Sequence, residues 1–230
     1  DKYLTGKSGA IKYFSDAKGN KLNLSDIYVE PQDGMNISLT IDINIQKSLE
    51  RELDNVVDMF SPDMALAIVM DPNNGEILGM ASRPDYNPNQ YQDYTQEVLS
   101  RNLPIWASYE PGSTFKIITT SAAVEEGVVD LNKDHFYDAG SVNVDGSTLR
   151  CWKAGGHGEQ TFLQVLQNSC NPGFVKMGQL LGKETLFDYI DKFGFGAKTG
   201  VDLNGEGKGI IFNLDQVGNV ELATTAFGRG

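Results

Sequence analysis

The order of hydrophobic periods between residues 37 and 81 constrains the fold more tightly than any other feature of this chain. Ile37-Ser38-Leu39-Thr40-Ile41 alternates between apolar and polar and predicts a strand. Asp42 then stands as a helix cap. Ile45, Leu49, Leu53, Val56 and Val57 recur at helical spacing, which predicts an amphipathic helix to about Met59. Ala65 to Met70 is an apolar run, Asp71-Pro72-Asn73-Asn74-Gly75 is turn chemistry, and Glu76 to Ala81 returns as the second arm of a hairpin. Strand, helix and hairpin in this order imply an α+β fold, an antiparallel sheet flanked by helices.

The flanking segments fit that class. Residues 1–30 are polar and Gly-rich, with short alternating pieces such as Ala10-Ile11-Lys12-Tyr13-Phe14, and predict a small β-lobe or connecting hairpins. Residues 82–110 predict a loop with short helical pieces. A helix is expected from Ser113 through Ile117, Ile118, Ala122 and Val124, closed by Gly127 as C-cap. Residues 136–152 predict a hairpin with Asp145-Gly146 at its tip, and 153–160 a Gly-rich loop. Thr161 opens a helix over Phe162 to Gln167, which Asn168-Ser169-Cys170-Asn171-Pro172 breaks. Helices are expected over 173–181 and over Lys183 to Phe193, with a last one from Val220 to Phe227.

Charge removes two function classes. A formal net charge of −12 with a pI near 4.5 argues against nucleic-acid binding, which depends on Lys and Arg neutralising phosphates. It also argues against a basic membrane-surface face. No stretch is apolar and long enough to span a bilayer. The chain opens at Asp1 with neither an initiator Met nor a signal peptide, so we expect a processed piece of a longer protein whose membrane anchor has been removed.

The chemistry is concentrated in two short segments. Ser113-Thr114-Phe115-Lys116 places a lysine three residues after a serine at a helix start. A serine hydroxyl needs a neighbouring base, and helical positions three apart share a face, with Cβ atoms about 5–6 Å apart. Burial would ease the proton off Lys116, and unpaired N–H groups at the helix start suit a developing oxyanion. By itself this could be ordinary N-capping chemistry. Ser169-Cys170-Asn171, in a break between two helices downstream, supplies the second half of a far more specific pattern.

These segments resemble the transpeptidase domain of class B penicillin-binding proteins. Glu110-Pro111-Gly112-Ser113-Thr114-Phe115-Lys116 is similar to the family's nucleophile segment, and Asn168-Ser169-Cys170-Asn171-Pro172 to its Ser-x-Asn segment. The hairpin Ala67-Ile68-Val69-Met70-Asp71-Pro72 to Gly75-Glu76-Ile77-Leu78-Gly79-Met80-Ala81 also matches, as do Arg83-Pro84 with Tyr86-Asn87-Pro88 and Gly194-Phe195-Gly196 with Thr199-Gly200-Val201-Asp202-Leu203. The stretch from Cys151-Trp152-Lys153 through His157-Gly158 to Gly173-Phe174 is most similar to the sporulation branch of the family. The resemblance implies the penicillin-binding serine-transpeptidase fold, incomplete at the C-terminus. Residues 35–230 would be the N-terminal part of that domain, and 1–34 the remnant of a linker or pedestal lobe.

The resemblance also implies roles. Ser113 would attack the penultimate D-Ala carbonyl of a peptidoglycan stem peptide, and β-lactams would acylate the same serine. Lys116 would accept its proton, Ser169 would relay a proton to or from the leaving group, and Asn171 would bind the substrate amide. A glycosyltransferase partner and a place on the extracytoplasmic face of a bacterial membrane, in spore-cortex wall synthesis, follow from the same likeness. Two alternatives share the motif: a serine β-lactamase, for which Glu159 is the only deacylating candidate, and a penicillin-binding scaffold or sensor that does not turn over. The family's third motif, Lys-[Thr/Ser]-Gly on a strand, is expected beyond Gly230. Lys198-Thr199-Gly200 comes too soon after Asn171 and lies inside a segment that is a structural loop in the family.

A further constellation is Cys151, His157 and Cys170, spaced Cys-x5-His-x12-Cys. Thiolate and imidazole suit a tetrahedral zinc, and a fourth ligand is sought near the strand partner of Cys151, where Asp138 is the candidate. A Cys151–Cys170 disulfide and a pair of buried free thiols are the competing readings.

Overall fold

The computed structural model describes residues 3–23 and 26–229. The chain divides into two compact units, residues 1–85 and 86–230. Both combine helices with antiparallel strands, so the fold is α+β.

The first unit begins with two short strands, β1 (Ala10–Lys12) and β2 (Ile27–Val29), paired antiparallel with Ile11 opposite Tyr28. Helix α1 (Ile43–Phe60) starts where expected, because the Asp42 side chain accepts from the N–H groups of Asn44 and Ile45. Strands β3 (Ala65–Met70) and β4 (Ile77–Arg83) form the predicted hairpin. Helix α1 lies on β4, where the Gln46 side chain bonds both the N–H and the C=O of Met80, each at 2.9 Å. Residues 37–41 are not a strand. They run past β4 with only Thr40 Oγ1 donating to Ile77 O and Asp42 N to Leu78 O, and Leu39 is 74% exposed. Alternation alone did not supply a ladder partner, which a strand needs.

The second unit carries the buried core. Two short helices, α2 (Gln96–Ser100) and α3 (Leu103–Trp106), precede a 3₁₀ turn over Gly112–Phe115 that runs directly into α4 (Lys116–Glu125). The expected single helix from Ser113 is therefore two pieces. Strand β5 (His135–Asp138) pairs with β8 (Gly158–Thr161), and β6 (Ser141–Val144) with β7 (Ser147–Arg150). The β6–β7 tip is Asp145-Gly146, with φ of 47° and 85°, the two positive angles a type I′ turn needs. The loop expected over 153–160 is shorter than predicted, because its last residues form β8.

Helices α5 (Phe162–Gln167), α6 (Asn171–Leu181), α7 (Lys183–Lys192) and α8 (Asn219–Thr225) complete the unit. Helix α6 is the central one: Phe174, Val175 and Met177 are fully buried. It begins at Asn171, two residues earlier than the sequence suggested, since Pro172 is well suited to a first helical turn. A Cβ at Gly173 would lie 2.4 Å from Val165 Cγ1, so the bare backbone there is what lets α6 start against α5. That contact fixes the break between the two helices, and the break holds Ser169 and Asn171.

Candidate active site and cation centre

In a 3₁₀ turn residues three apart eclipse one another, so the turn over Gly112–Phe115 stacks Ser113 over Lys116. Ser113 is exposed and Lys116 is buried, 2% exposed. The lysine ammonium donates to Ser169 O and Ser169 Oγ, both at 2.9 Å, and to Asn171 Oδ1 at 2.7 Å, and lies 5.0 Å from the Phe174 ring centre. Ser169 Oγ is 3.0 Å from Ser113 Oγ. The structure thus brings the four residues of both motifs into one hydrogen-bonded chain. It differs from the sequence expectation in one respect: Ser169 stands between Ser113 and Lys116. The cause is the backbone of Ser169, whose φ of 50° is left-handed and swings Oγ into that position.

Burial pushes the Lys116 ammonium down to about 8, only partly offset by the neighbouring Cys170 and Cys151. Asn171 uses its other end on Arg150, donating from Nδ2 to the carbonyl at 3.1 Å. The turn itself is held from α8's end: Gly112 N donates to Gly228 O at 3.0 Å, and a Cβ at Gly228 would stand 2.0 Å from Gly112 O. Neither Arg150 nor Gly228 was singled out by sequence, because both act through backbone atoms.

Lys198-Thr199-Gly200 sits apart from this chain. Glu206 accepts from Thr199 N (2.7 Å), Thr199 Oγ1 (2.5 Å) and Gly200 N (3.2 Å), folding the segment into an exposed loop. Trp106 lies under Arg101, whose guanidinium is 4.4 Å from its ring centre. Trp152 is 68% exposed, with Nε1 donating to Asn168 O at 2.8 Å and its ring edge-on to His157.

Behind the Ser169 loop, Asp138, Cys151, His157 and Cys170 converge, their ligand atoms all within 4.8 Å of one another. Asp138 ends β5, Cys151 follows β7, His157 precedes β8 and Cys170 caps α6. Cys151 N pairs with Gly140 O, which carries its side chain toward Asp138. His157 Nδ1 is 2.9 Å from Asp138 Oδ2 and 3.3 Å from Cys151 Sγ, and Cys170 Sγ is 3.3 Å from the same Asp138 oxygen. Both cysteines are free thiols. Burial raises the Asp138 carboxyl, but hydrogen bonds from Cys151, His157, the Gly140 N–H and Cys170 outweigh it and hold the group well below the usual carboxylate range. Burial, reinforced by Asp138, raises the Cys151 thiol and pushes Cys170 up to about 12. One carboxylate, one imidazole and two thiols thus face a common point, a group of side chains that could hold a metal ion.

The Penicillin binding protein transpeptidase domain family matches residues 65–230, well over half of the chain. The chain belongs to this family. It is 58% identical over its whole length to Stage V sporulation protein D of Bacillus subtilis (strain 168), and covers 36% of that protein. It is 32% identical, again over its whole length, to Peptidoglycan D,D-transpeptidase FtsI of Escherichia coli (strain K12), covering 38% of it. The crystal structure of Penicillin Binding Protein 2X from Streptococcus thermophilus superimposes with a TM-score of 0.81 at 29% identity, over 99% of this chain and 33% of that one. The chain therefore spans little more than a third of the curated relatives named here. Among its described residues no helix is long and apolar enough to cross a membrane.

Proposed function

We propose that this chain supplies two of the three motif segments of a peptidoglycan D,D-transpeptidase, with Ser113 as nucleophile and as the residue that β-lactams acylate. One observation carries the reading: Ser113, Ser169, Lys116 and Asn171, from segments far apart in sequence, form a continuous chain with links of 2.7–3.0 Å. Ser113 Oγ attacks the penultimate D-Ala carbonyl. Its proton passes to Ser169 Oγ, whose own proton passes to Lys116 Nζ. The C–N bond to the terminal D-Ala breaks, and the leaving amine takes a proton back along the same route. The amine of a second stem peptide then attacks the ester, giving up a proton as Ser113 regains its own. Asn171, anchored on Arg150 O, has a second N–H to offer the substrate amide.

The likeness to Stage V sporulation protein D supports a role in spore-wall synthesis, and the extracytoplasmic face is where peptidoglycan lies. A glycosyltransferase partner is supported by the family resemblance alone. Residues 35–230 are read as the N-terminal part of the transpeptidase domain and 1–34 as a linker or pedestal piece. Nothing favours the β-lactamase reading: Glu159 is exposed on the outer side of β8, opposite to its buried neighbour Gln160. Mass spectrometry of the whole protein after incubation with benzylpenicillin tests the proposal. An adduct on the Ser113 peptide is expected, and its absence overturns the reading.

The pH profile follows from Lys116. The neutral amine is the base, and a site near 8 leaves roughly a tenth of it neutral at pH 7. Acylation by a β-lactam is expected to rise about tenfold from pH 7 and level off above pH 8. A rate that is flat from pH 6 to 9 contradicts Lys116 as the base.

We also assign zinc to the Asp138, Cys151, His157 and Cys170 centre. Four protein ligands leave no position for a reacting water, so the metal would be structural, tying β5, β7 and β8 to the start of α6.

A further inference from the structure

The backbone of Ser169 is held at every point where a loop could give. Asn168 is the C-cap of α5. The two bonds beyond it, Ser169 N to Leu166 O and Cys170 N to Val165 O, each at 3.0 Å, make the Schellman closure of that helix. Ser169 therefore stands, with its φ of 50°, in the slot that usually takes glycine. The peptide between Asn168 and Ser169 is a rigid plane gripped at both ends. Its N–H is the one on Leu166 O, and its carbonyl accepts from Trp152 Nε1 at 2.8 Å. The next plane is gripped likewise, its carbonyl by Lys116 Nζ at 2.9 Å and its N–H by Val165 O. Asn168 is further tied to β8, where its Nδ2 donates at 3.0 Å to Oε1 of the buried Gln160. The Trp152 indole is mostly exposed, so a hydrogen bond rather than burial is what it contributes to the loop.

We propose that Trp152 and Asn168 are positioning residues for acylation: together they hold Ser169 in its left-handed conformation, with Oγ between Ser113 and Lys116. The relay works only while Ser169 Oγ stays 3.0 Å from Ser113 Oγ and 2.9 Å from Lys116 Nζ. A left-handed backbone is disfavoured for a residue with a Cβ, so a serine released from its grips turns toward the commoner regions and carries Oγ away. Two of the four grips on the flanking planes belong to the helix cap, and one to Lys116. The Lys116 grip is weakest when it is needed. The ammonium has three N–H groups for Ser169 O, Ser169 Oγ and Asn171 Oδ1, but the neutral amine that acts as base has two. The Trp152 bond does not depend on that proton, and the tie from Asn168 to Gln160 keeps the carbonyl it holds in register with β8.

This inference rests on the transpeptidase reading above, and the two fail separately. In the full-length protein, the limiting rate of benzylpenicillin acylation and the concentration that gives half of it are measured. Trp152→Phe keeps a ring and removes the N–H donor. Asn168→Ala removes the tie to Gln160. Each is expected to lower the limiting rate about five- to tenfold, the scale of one lost hydrogen bond, and to leave the half-rate concentration unchanged. On a Ser169→Ala background neither is expected to slow the residual rate further, because no hydroxyl is left to position. If Asn168→Ala does not fold, Trp152→Phe decides, since its ring is at the surface. Unmutated limiting rates in the folded variants overturn the proposal and leave Ser113 as nucleophile. So does a change confined to the half-rate concentration, which would make Trp152 a substrate contact, and so does an equal loss on the Ser169→Ala background. No adduct on Ser113 in the unmutated protein overturns the transpeptidase reading, and the proposal with it.

Discussion

Replacing Ser113 by alanine is expected to abolish covalent labelling of the full-length protein by a fluorescent penicillin, with the acylation rate falling by about five to six orders of magnitude. Removal of a serine nucleophile from a working triad has an effect of that size, because the remaining groups have nothing to activate. The fold should not register the change. Ser113 is exposed in its 3₁₀ turn, and the turn is held by Gly112 and Gly228 backbone atoms and by Thr114 Oγ1 donating to Pro111 O. Surface changes of this kind stay within about 0.5 kcal/mol. Retention of labelling at the unmutated rate would mean that another group attacks the β-lactam, and the role of the whole Ser113–Ser169–Lys116 chain would fall with it.

The second large effect concerns stability. Protein purified without added metal is expected to carry one zinc per chain, and Cys170→Ser to lose it. At a thousandfold excess over its dissociation constant a bound ion contributes about 4 kcal/mol. For a chain of this size that is roughly 8–16 °C in melting temperature. Chelator should lower the melting temperature of the unmutated protein by that amount and leave Cys170→Ser unchanged. Two thiols raised by burial must also give up protons on binding, so zinc affinity should climb with pH across the neutral range. Substoichiometric zinc in the unmutated protein rules the centre out as a metal site.

Much of this was legible in the sequence, and what was not has identifiable causes. The helix over 43–60 announced itself because Asp42 and the spacing of Ile45, Leu49 and Leu53 agree with each other. The hairpins announced themselves through Asp71 to Gly75 and Asp145-Gly146. Residues 37–41 misled because alternation reports only a tendency to extend, while pairing depends on what the rest of the chain places alongside. Asp138 was legible beside Cys151 because it lies near that residue's strand partner, and Cys151 N does pair with Gly140 O. Gln160 could not be read. Its neighbours in sequence, Glu159 and Thr161, look like any polar loop, and its burial follows from a strand pairing across to β5. The insertion of Ser169 between Ser113 and Lys116 was equally silent, since nothing in a serine's identity signals a positive φ.

That angle has a consequence for how the protein can change. A left-handed backbone costs a residue with a Cβ roughly 1–2 kcal/mol, which glycine does not pay. Both Ser169→Gly and Ser169→Ala lose the acceptor for Lys116 Nζ, but only the glycine relieves the backbone, so Ser169→Gly should fold more stably than Ser169→Ala. Both should acylate slowly, because both lack the relay hydroxyl, and melting curves beside labelling rates will separate the two contributions. Position 169 is one where backbone preference and function pull in opposite directions.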